Sequence, residues 1–498
     1  MKNGRIKRFL LAVLSLLLLA TSAMSCSKEK SDEESTEQTT VANEVEDVFT
    51  YDENGFVEDR LSDDLDFKSQ NLNMYHWQTG NEYVTDLTSD PINSALYYRV
   101  LNVQDRLNCF ITIKYAPGGW YDRTSFIENV YNDVATGNPQ IDIVSHYSFT
   151  APIGAMYGLY ENLNNVENLD LDMPWWIGDI QNSIDIDGKV YFATGDIAPN
   201  TTTMTYCMFF NADLMSAHGH DVDALYKDAI DGNWTIEKMN EVVKDSHVDE
   251  NGNSIPDSGD YFGLNLCDLV HYDAIFYAAD MKIVDKNNDG SYTLSRDFAG
   301  SKTITLVEEC IELFYSDDCA NFEDGGATFS SGHSLLLLGH FNVVFTKLKT
   351  SEFKYGVLPV PKYDETQSKY TTCLTATHSL YSVVHGGAKV SMAGAVMEAL
   401  ASDAYRNITP VLFEEGLKVR YAKDEKAAVV YDIIRESVVF DVGRIWGDQV
   451  HSENTNAFGL FRNAIQQKAS WRTKISGAQG AYVECLNSIV STITSFDH

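Results

Sequence analysis

The chain is poor in basic residues. Its 498 residues include 37 lysines and arginines against 72 aspartates and glutamates, which gives a formal net charge of −35 at pH 7. A nucleic-acid partner needs basic groups opposite its phosphates, so this shortage argues strongly against nucleic-acid binding. The charge favours solubility but does not by itself indicate a fold.

Cysteine is also scarce, and its spacing is irregular. Of the eight cysteines, those after the N-terminal region form an odd set without a regular pattern, so a disulfide framework is not predicted. No CxxC pair or cysteine–histidine cluster indicates zinc. Several of these cysteines lie in apolar runs, as Cys207 does in 206–210, and most are interpreted as small core residues.

Recognisable catalytic motifs are absent as well. The sequence contains no GxSxG, HExxH or P-loop pattern. Paired carboxylates must occur by chance among 72 acidic residues, so counting alone leaves a glycan-acting enzyme open. The sequence therefore predicts no catalytic residue, no cofactor and no enzyme.

The N-terminus has the layout of a secretory signal. Four basic residues precede an apolar run at 9–20, and small residues at 23–25 lead to Cys26. A cysteine at this point resembles the lipobox of bacterial lipoproteins, which implies a signal peptide at 1–25 and a lipid on Cys26. An ordinary signal peptide with an incidental cysteine, or a single membrane anchor, stays open, although the apolar run is short for a span.

The segment after Cys26 predicts a tether. Hydroxyl and acidic residues dominate 27–47, where no aromatic residue occurs, so the segment cannot bury enough apolar surface to become ordered. We expect a disordered acidic tether at 26–66. With no second apolar run long enough to span a bilayer, we expect the protein on the outer face of the cytoplasmic membrane, held there by lipid.

The body of the chain alternates between strand-like and helical segments. Strands are predicted at 72–77, 110–115 and 141–144, with helices at 93–107 and 126–135 between them. This order predicts an α/β fold that begins as a doubly wound sheet. In such sheets ligands bind beyond the carboxyl ends of the strands. The length of the chain suits two lobes or more.

The alternation continues to the end of the chain. Thr235 is a predicted N-cap. The later predicted strands are 189–194, 205–210, 263–268 and 354–359, and the later predicted helices are 236–246, 391–401, 426–436, 466–471 and 481–493.

Several phrases, taken in this order, resemble the extracellular solute-binding proteins of ABC importers, of the sugar-binding type related to maltose-binding protein. For example, GNWTIEKM at 232–239 is similar to the family's G.WTWDE, and GVLPVPKYDETQ at 356–367 to its GILPMPKYDE.Q. The chain departs from the family's YNKDL where Ala212 replaces the usual lysine. The remaining stretches that carry the resemblance are 187–193, 209–214, 289–294 and 424–443, the last of a clostridial type.

The resemblance implies a two-lobe periplasmic-binding-protein-like fold of type II, with doubly wound lobes joined at a hinge. We expect lobe 1 at 67–195, returning at about 358–410, and lobe 2 at 196–357, completed by about 411–498. It further implies a monomer that grips a small-molecule solute, a mono- or oligosaccharide, and delivers it to ABC permease subunits. The rich aromatic stock, with 27 tyrosines, 24 phenylalanines and 7 tryptophans, would suit sugar rings. A cell-surface glycan-acting enzyme, or the same fold taking a peptide, polyamine or phosphosugar, stays open.

Candidate ligand contacts come from strand ends, from the first crossover and from the resemblance. The resemblance implies an acidic contact at Asp268 and a stacking aromatic at Trp446. For each candidate, core packing or a satisfied polar group in a loop is the alternative, and Trp175, Trp176 and Trp234 are expected to be structural. The candidate contacts are Trp77, His146, Tyr147, Asp196, Asn200, Asp268, His271, Phe341 and Trp446.

Two loops have the oxygen-rich composition of calcium sites. Residues 285–290 fit the first half of an EF-hand, but Arg296 stands where the loop needs a glutamate, and the resemblance makes this segment a β-hairpin turn. No metal site is predicted. The weak calcium candidate is the second loop, with Asp249, Asn251, Asn253, Asp257 and Asp260.

Overall fold

The computed structural model describes residues 49–78, 82–177, 183–267, 269–320, 325–417, 425–452 and 455–498. Its strands are β1 Gln70–Trp77, β2 Cys109–Ala116, β3 Ile143–Tyr147, β4 Tyr206–Asn211, β5 Phe262–Leu266, β6 Val284–Lys286, β7 Tyr292–Leu294, β8 Cys319–Ala320, β9 Ser334–His340, β10 Tyr355–Leu358, β11 Ser379–Val383, β12 His451–Ser452 and β13 Thr455–Asn456.

The helices alternate with these strands. The α-helices are α1 Pro91–Leu107, α2 Arg123–Val134, α3 Ala151–Met156, α4 Pro199–Thr203, α5 Ala212–Ala217, α6 Val222–Ile230, α7 Ile236–Val243, α8 Tyr272–Ala278, α9 Ser301–Phe314, α10 Gly325–Ser330, α11 Asn342–Thr346, α12 Val390–Asn407, α13 Thr409–Leu417, α14 Glu425–Glu436, α15 Val442–Ile445, α16 Ala457–Gln466 and α17 Trp471–Thr494. Short 3₁₀ helices lie at Leu163–Asn165, Leu269–His271 and Leu348–Thr350.

The first sheet has four strands in the order β11-β3-β1-β2. Strands β1, β2 and β3 are parallel, and β11 is antiparallel to β3. Helix α1 begins at Pro91, before the predicted start at 93, where the Asp90 side chain caps it by accepting a hydrogen bond from Asn93 N, and the helix buries Leu96 and Val103. The predicted doubly wound start of the chain is therefore confirmed.

The second sheet has five strands in the order β10-β4-β9-β5-β8. Strand β4 is antiparallel to both neighbours, while β9, β5 and β8 run parallel. Every residue of β4 and β5 is buried, which is why these strands read as apolar runs rather than alternating ones.

Three chain segments run side by side between the sheets, and we call them the crossover ribbon (204–206, 372–375 and 437–439). Tyr206 N donates to Cys373 O at 3.2 Å, and Thr372 N donates to Ser437 O at 2.8 Å. The first segment leads from the first sheet to β4, and the second leads from β10 to β11. Two connections of opposite direction therefore join the two sheets.

Some predicted elements differ from the structure. The predicted strand at 189–194 forms only isolated bridges, one of them between Ala193 and Tyr381, because the segment leaves the sheet edge toward the crossover. The predicted helix at 466–471 is wrong, because one helix ends at Gln466, the next begins at Trp471, and Lys468 in the turn between them has φ +49°. The predicted hairpin turn at 289–294 is confirmed by the antiparallel pair β6–β7.

Five cysteines lie in the buried core. Cys109, Cys207, Cys310, Cys319 and Cys373 are buried free thiols, which confirms their interpretation as core residues. No helix in the described part of the chain is long and apolar enough to cross a membrane.

The predicted tether at 26–66 lies largely outside the described residues, and so does Cys26. The stretch 50–66 belongs to the folded unit formed by residues 50–498. There, Val57 and Leu61 are buried, and Asp59 accepts hydrogen bonds from Arg106 at 2.6 and 2.7 Å.

Candidate functional site

The carboxyl ends of β1 and β3 and the amino end of β11 meet at one edge of the first sheet, which we call the first strand edge. Trp77 ends β1, and its indole Nε1 donates to Ser379 Oγ at 2.8 Å. Tyr147 ends β3, with its ring 5.4 Å from that of Trp77. Both predicted contacts are thus together, and both are buried.

A buried carboxylate organises this edge. Glu82 accepts hydrogen bonds from Ser379 Oγ at 2.6 Å and Tyr381 OH at 2.9 Å, and its Oε2 lies 3.0 Å from His76 Nε2. The predicted contact Asn200 joins the same network, because its Nδ2 donates to Ser379 Oγ at 3.1 Å. Asn200 therefore ties the first strand edge to helix α4 beside the crossover ribbon.

His146 precedes Tyr147 on β3, so its side chain points to the opposite face of the sheet. Its Nδ1 donates to Leu380 O at 3.0 Å, and its Nε2 accepts from Tyr160 OH at 2.6 Å. Burial lowers the pKa of His146 to about 3, so the imidazole is neutral. The structure gives this residue a place in the core of the first sheet.

The carboxyl ends of β5 and β9 form the corresponding second strand edge. The ring of His271 lies 5.5 Å from that of His340, nearly parallel to it, and 5.0 Å edge-on from that of Tyr206. The predicted contact His271 is buried among these rings. Asp268, its predicted acidic neighbour, lies outside the described residues.

Side chains from the loops of the first strand edge contact helices α15 and α16 and the loop between them. Arg123 Nε lies 2.8 Å from Asp448 Oδ2, and the rings of Phe149 and Phe458 stack 5.0 Å apart. Trp120, in the loop after β2, stays 39% exposed beside this contact, under the Arg123 guanidinium. Trp120 is thus an accessible aromatic ring near the first strand edge, and the sequence analysis did not select it.

A buried ion cluster lies between the two strand edges. Asp273 accepts hydrogen bonds from Arg444 Nη1 at 2.6 Å and from Arg462 Nε at 2.6 Å. Burial raises the pKa of Asp273, but the two guanidinium charges outweigh burial and hold it below its usual value. The charges of Arg444 and Arg462 also act on Tyr147 and Tyr206, one from each edge, so the cluster lies near both.

Trp446 lies in the core rather than on an accessible surface. It is 1% exposed, its Nε1 is 3.4 Å from Ile184 O, and its ring is 5.7 Å from that of Phe192. Trp446 therefore has a core position, which is the alternative given for every candidate contact. The three tryptophans expected to be structural, Trp175, Trp176 and Trp234, are buried as well.

A cavity of about 470 Å³ opens beside the crossover ribbon, and we call it the crossover cavity. Its size is within the range of small-molecule sites. Two predicted contacts, Asp196 and Phe341, lie in its wall. The lining residues are Pro174, Trp175, Trp176, Ile177, Gly195, Asp196, Thr201, Thr202, Thr205, Phe341, Tyr405, Phe413, Asp432, Arg435, Glu436 and Val438.

The polar wall of the crossover cavity is dominated by carboxylates. Asp196 accepts a hydrogen bond from Thr409 Oγ1 at 2.6 Å and lies 3.3 Å from Arg435 Nη2. Burial raises the pKa of Asp196, and also that of Asp432, while Arg435 lowers both. Because burial has the larger effect, one guanidinium does not fully compensate these two carboxylates.

The tryptophan wall of the crossover cavity is held from behind by Glu398. Its carboxyl oxygens accept hydrogen bonds from Trp175 Nε1 at 3.1 Å and Trp176 Nε1 at 3.0 Å. Burial raises the pKa of Glu398 to about 8, although the Trp176 and Asp170 N–H donors oppose the shift. Glu398 fixes the orientation of both indoles.

Sequence reasoning missed Glu398 and the polar wall on helix α14. A single acid within the apolar run of α12 is a signal for a buried polar partner, which the structure supplies. Asp432, Arg435 and Glu436 stand at helical spacing among apolar residues of α14, but this pattern is also that of any solvated helix face.

The weak calcium candidate loop is closed by its own hydrogen bonds. Asp249 accepts from Gly252 N and Ser254 N, and Asp257 accepts from the amides of Asn251 and Asn253. Among the described residues, no group of three or more histidine, cysteine or acidic side chains is arranged to hold a metal ion.

No family model and no curated protein matches the sequence. Solved structures do match the fold. M. tuberculosis UspC aligns with a TM-score of 0.53 and 14% identity, over 83% of this chain and 100% of that one. The GacH receptor of Streptomyces glaucescens, solved unliganded and with acarbose and an acarbose homolog, aligns with a TM-score of 0.52 and 14% identity, over 84% of this chain and 99% of that one.

The two sheets, the crossover ribbon between them and these similarities define the fold. It is the two-lobe α/β fold of the type II periplasmic binding proteins, as the sequence predicted. Each lobe is built on one of the two sheets, and the strand edges belong to different lobes.

Proposed function

We propose that this protein is the solute-binding component of an ABC importer and that it takes a mono- or oligosaccharide between the two strand edges. The single observation that carries the proposal is the similarity of the whole fold to UspC and to the acarbose-binding GacH receptor. Trp77, Tyr147, Asp268 and His271 remain its proposed contacts, and the proposed lobes are those of the sequence analysis.

The geometry adds a mechanism for gripping a solute. The two strand edges belong to lobes joined by the crossover ribbon, so bending a few ribbon residues would bring the edges together or apart. The Arg123–Asp448 and Phe149–Phe458 contacts link the two sides. We infer that these contacts form as the lobes close on the solute.

Solute binding is tested with the chain that follows Cys26. A thermal-shift screen against mono- and oligosaccharides should find a sugar that raises the melting temperature, because a ligand that binds only the native state stabilises it. Trp120→Ala should weaken that sugar's binding about tenfold in calorimetry, since Trp120 is an accessible ring near the first strand edge. Tyr157→Ala is the matched control, because this 61% exposed aromatic lies outside both edges.

Two results would overturn the proposal. The first is that no sugar in the screen raises the melting temperature while the protein cleaves one of the oligosaccharides, which would make it an enzyme. The second is that Trp120→Ala and Tyr157→Ala leave the affinity for the identified sugar equally unchanged, which would move the site away from the strand edges.

We also propose that Cys26 carries the lipid anchor and holds the protein on the outer face of the cytoplasmic membrane. The support is the order of basic residues, apolar run, small residues and cysteine at the N-terminus. Cys26→Ala should release the protein from intact cells or leave it unprocessed, as measured by fractionation and mass spectrometry. Normal retention with an intact acyl group in that variant would contradict the anchor.

A further inference from the structure

The crossover cavity is built from different residues than the strand edges. Its walls come from 174–177, from the first crossover, from helices α12 and α13 and from α14. Of the residues described at the strand edges, only Phe341, which follows β9, reaches the cavity wall. A ligand in the cavity would therefore be held by its own set of side chains.

The charge of the cavity wall is unbalanced. Asp196, Asp432 and Glu436 oppose a single guanidinium, that of Arg435, which leaves a surplus of two negative charges. Asp196 is 8% exposed and so is poorly hydrated, and its only charged partner in the wall is Arg435, at 3.3 Å. A poorly hydrated carboxylate with incomplete compensation favours a further cation beside it.

Aromatic rings also line the cavity, and contacts within the protein hold two of them in place. Trp176 is held through its indole N–H by Glu398, and Phe341 stacks on Tyr431 with ring centroids 4.9 Å apart. The cavity already contains one cation over a ring, since the Arg435 guanidinium lies 5.7 Å from the centroid of Phe413. Rigid ring faces with nearby carboxylates are the surroundings in which organic cations are recognised.

We propose that the crossover cavity is a second ligand site and that it takes a small organic ammonium ion. The rings of Trp176, Phe341 and Phe413 would surround the apolar part of the ion, and Asp196 would face its charge. The proposed contacts of the two ligands are different side chains. Ammonium binding can therefore be measured in protein that contains no sugar.

The test uses two pairs of compounds that differ in charge but hardly in shape. Choline is compared with dimethylbutanol, in which carbon replaces the nitrogen, and putrescine is compared with butanediol. Calorimetry at low ionic strength should show that at least one ammonium compound binds about tenfold or more tightly than its uncharged partner. The difference should shrink at high salt, because the carboxylates on α14 are exposed.

Three variants locate the site. Asp196→Asn should weaken ammonium binding about tenfold, while it keeps an acceptor for Thr409. Arg435→Gln should strengthen binding, because it removes the competing cation. Asp223→Asn is the matched control, since it removes the same charge from an exposed carboxylate outside the cavity, and it should change nothing.

The opposite signs expected for Asp196→Asn and Arg435→Gln separate a binding role from damage to the fold, which would weaken binding in both. The proposal is overturned if neither ammonium compound binds more tightly than its uncharged partner. It is also overturned if Asp223→Asn weakens binding as much as Asp196→Asn does. Neither result would bear on sugar binding at the strand edges.

Discussion

The first strand edge and the crossover cavity contain the same kinds of side chain in different states. At the edge, Glu82 contacts Ser379, Tyr381 and His76 within hydrogen-bond distance and the Trp77 indole donates to Ser379, so the polar groups are paired within the protein. At the cavity, Asp196 has one hydroxyl and one guanidinium, and Asp432 is exposed. The polar groups of the edge are therefore paired, whereas the carboxylates of the cavity wall are only partly compensated.

The two regions therefore differ in how far their polar groups are already paired within the protein. Trp77 was selected because it ends a strand and Asp196 because it flanks the first crossover, yet one is surrounded by protein and the other borders open space. A buried polar group that has all its partners stabilises the fold, whereas one that lacks partners gains from a ligand.

The largest expected effect is at Trp446, whose side chain is packed in the core. Trp446→Ala should lower the free energy of unfolding by about 3–5 kcal/mol, because it removes a fully buried indole that packs on Phe192. Chemical denaturation of the ligand-free protein measures this change. Trp120→Ala, which truncates a half-exposed indole at the first strand edge, should cost much less.

A small effect of Trp446→Ala on unfolding, together with a large loss of sugar affinity, would reverse this assignment. It would place Trp446 among the ligand contacts, as the family resemblance implied. The Trp446 ring, which is 1% exposed in the structure, would then have to open toward the solute.

Local pattern was enough to predict much of the fold. The order of β1, α1, β2, α2 and β3 follows from apolar periodicity over short windows, and Thr235 caps α7 as its position suggests, accepting from Lys238 N at 3.2 Å. The two-lobe type II fold came from the family resemblance, and the similarity to solved structures confirms it.

The site could not be predicted in the same way, because it depends on contacts between distant parts of the chain. Glu82 and Ser379 are 297 positions apart, and Asp196 and Arg435 are 239 apart. No short stretch of sequence shows that Ser379 donates a hydrogen bond to Glu82, or that Arg435 only partly compensates the charge of Asp196. The sequence patterns selected residues near both regions but could not distinguish those packed within the protein from those that border the cavity.

The second prediction concerns Glu398, the carboxyl group behind the tryptophan wall of the crossover cavity. Its folded pKa of about 8 lies above the ordinary value of 4.5, so between these values the folded state holds a proton that the unfolded state has lost. Its contribution to stability is therefore present below pH 4.5 and is lost as the pH rises to 8. Between pH 6.5 and 8 the free energy of unfolding should fall by about 2 kcal/mol on this account, and Glu398→Gln should remove that fall.

His146 supplies the control, because its shift has the opposite sign. Burial lowers its pKa from 6.5 to about 3, so its contribution is present above pH 6.5 and is lost as the pH falls toward 3. His146→Gln should therefore keep the wild-type slope between pH 6.5 and 8 and change the slope only below that window. If Glu398→Gln also keeps the wild-type slope above pH 6.5, then Glu398 is ionised in the folded protein. The indole N–H groups of Trp175 and Trp176 would then stabilise a carboxylate, and the wall of the crossover cavity would carry one more negative charge behind it.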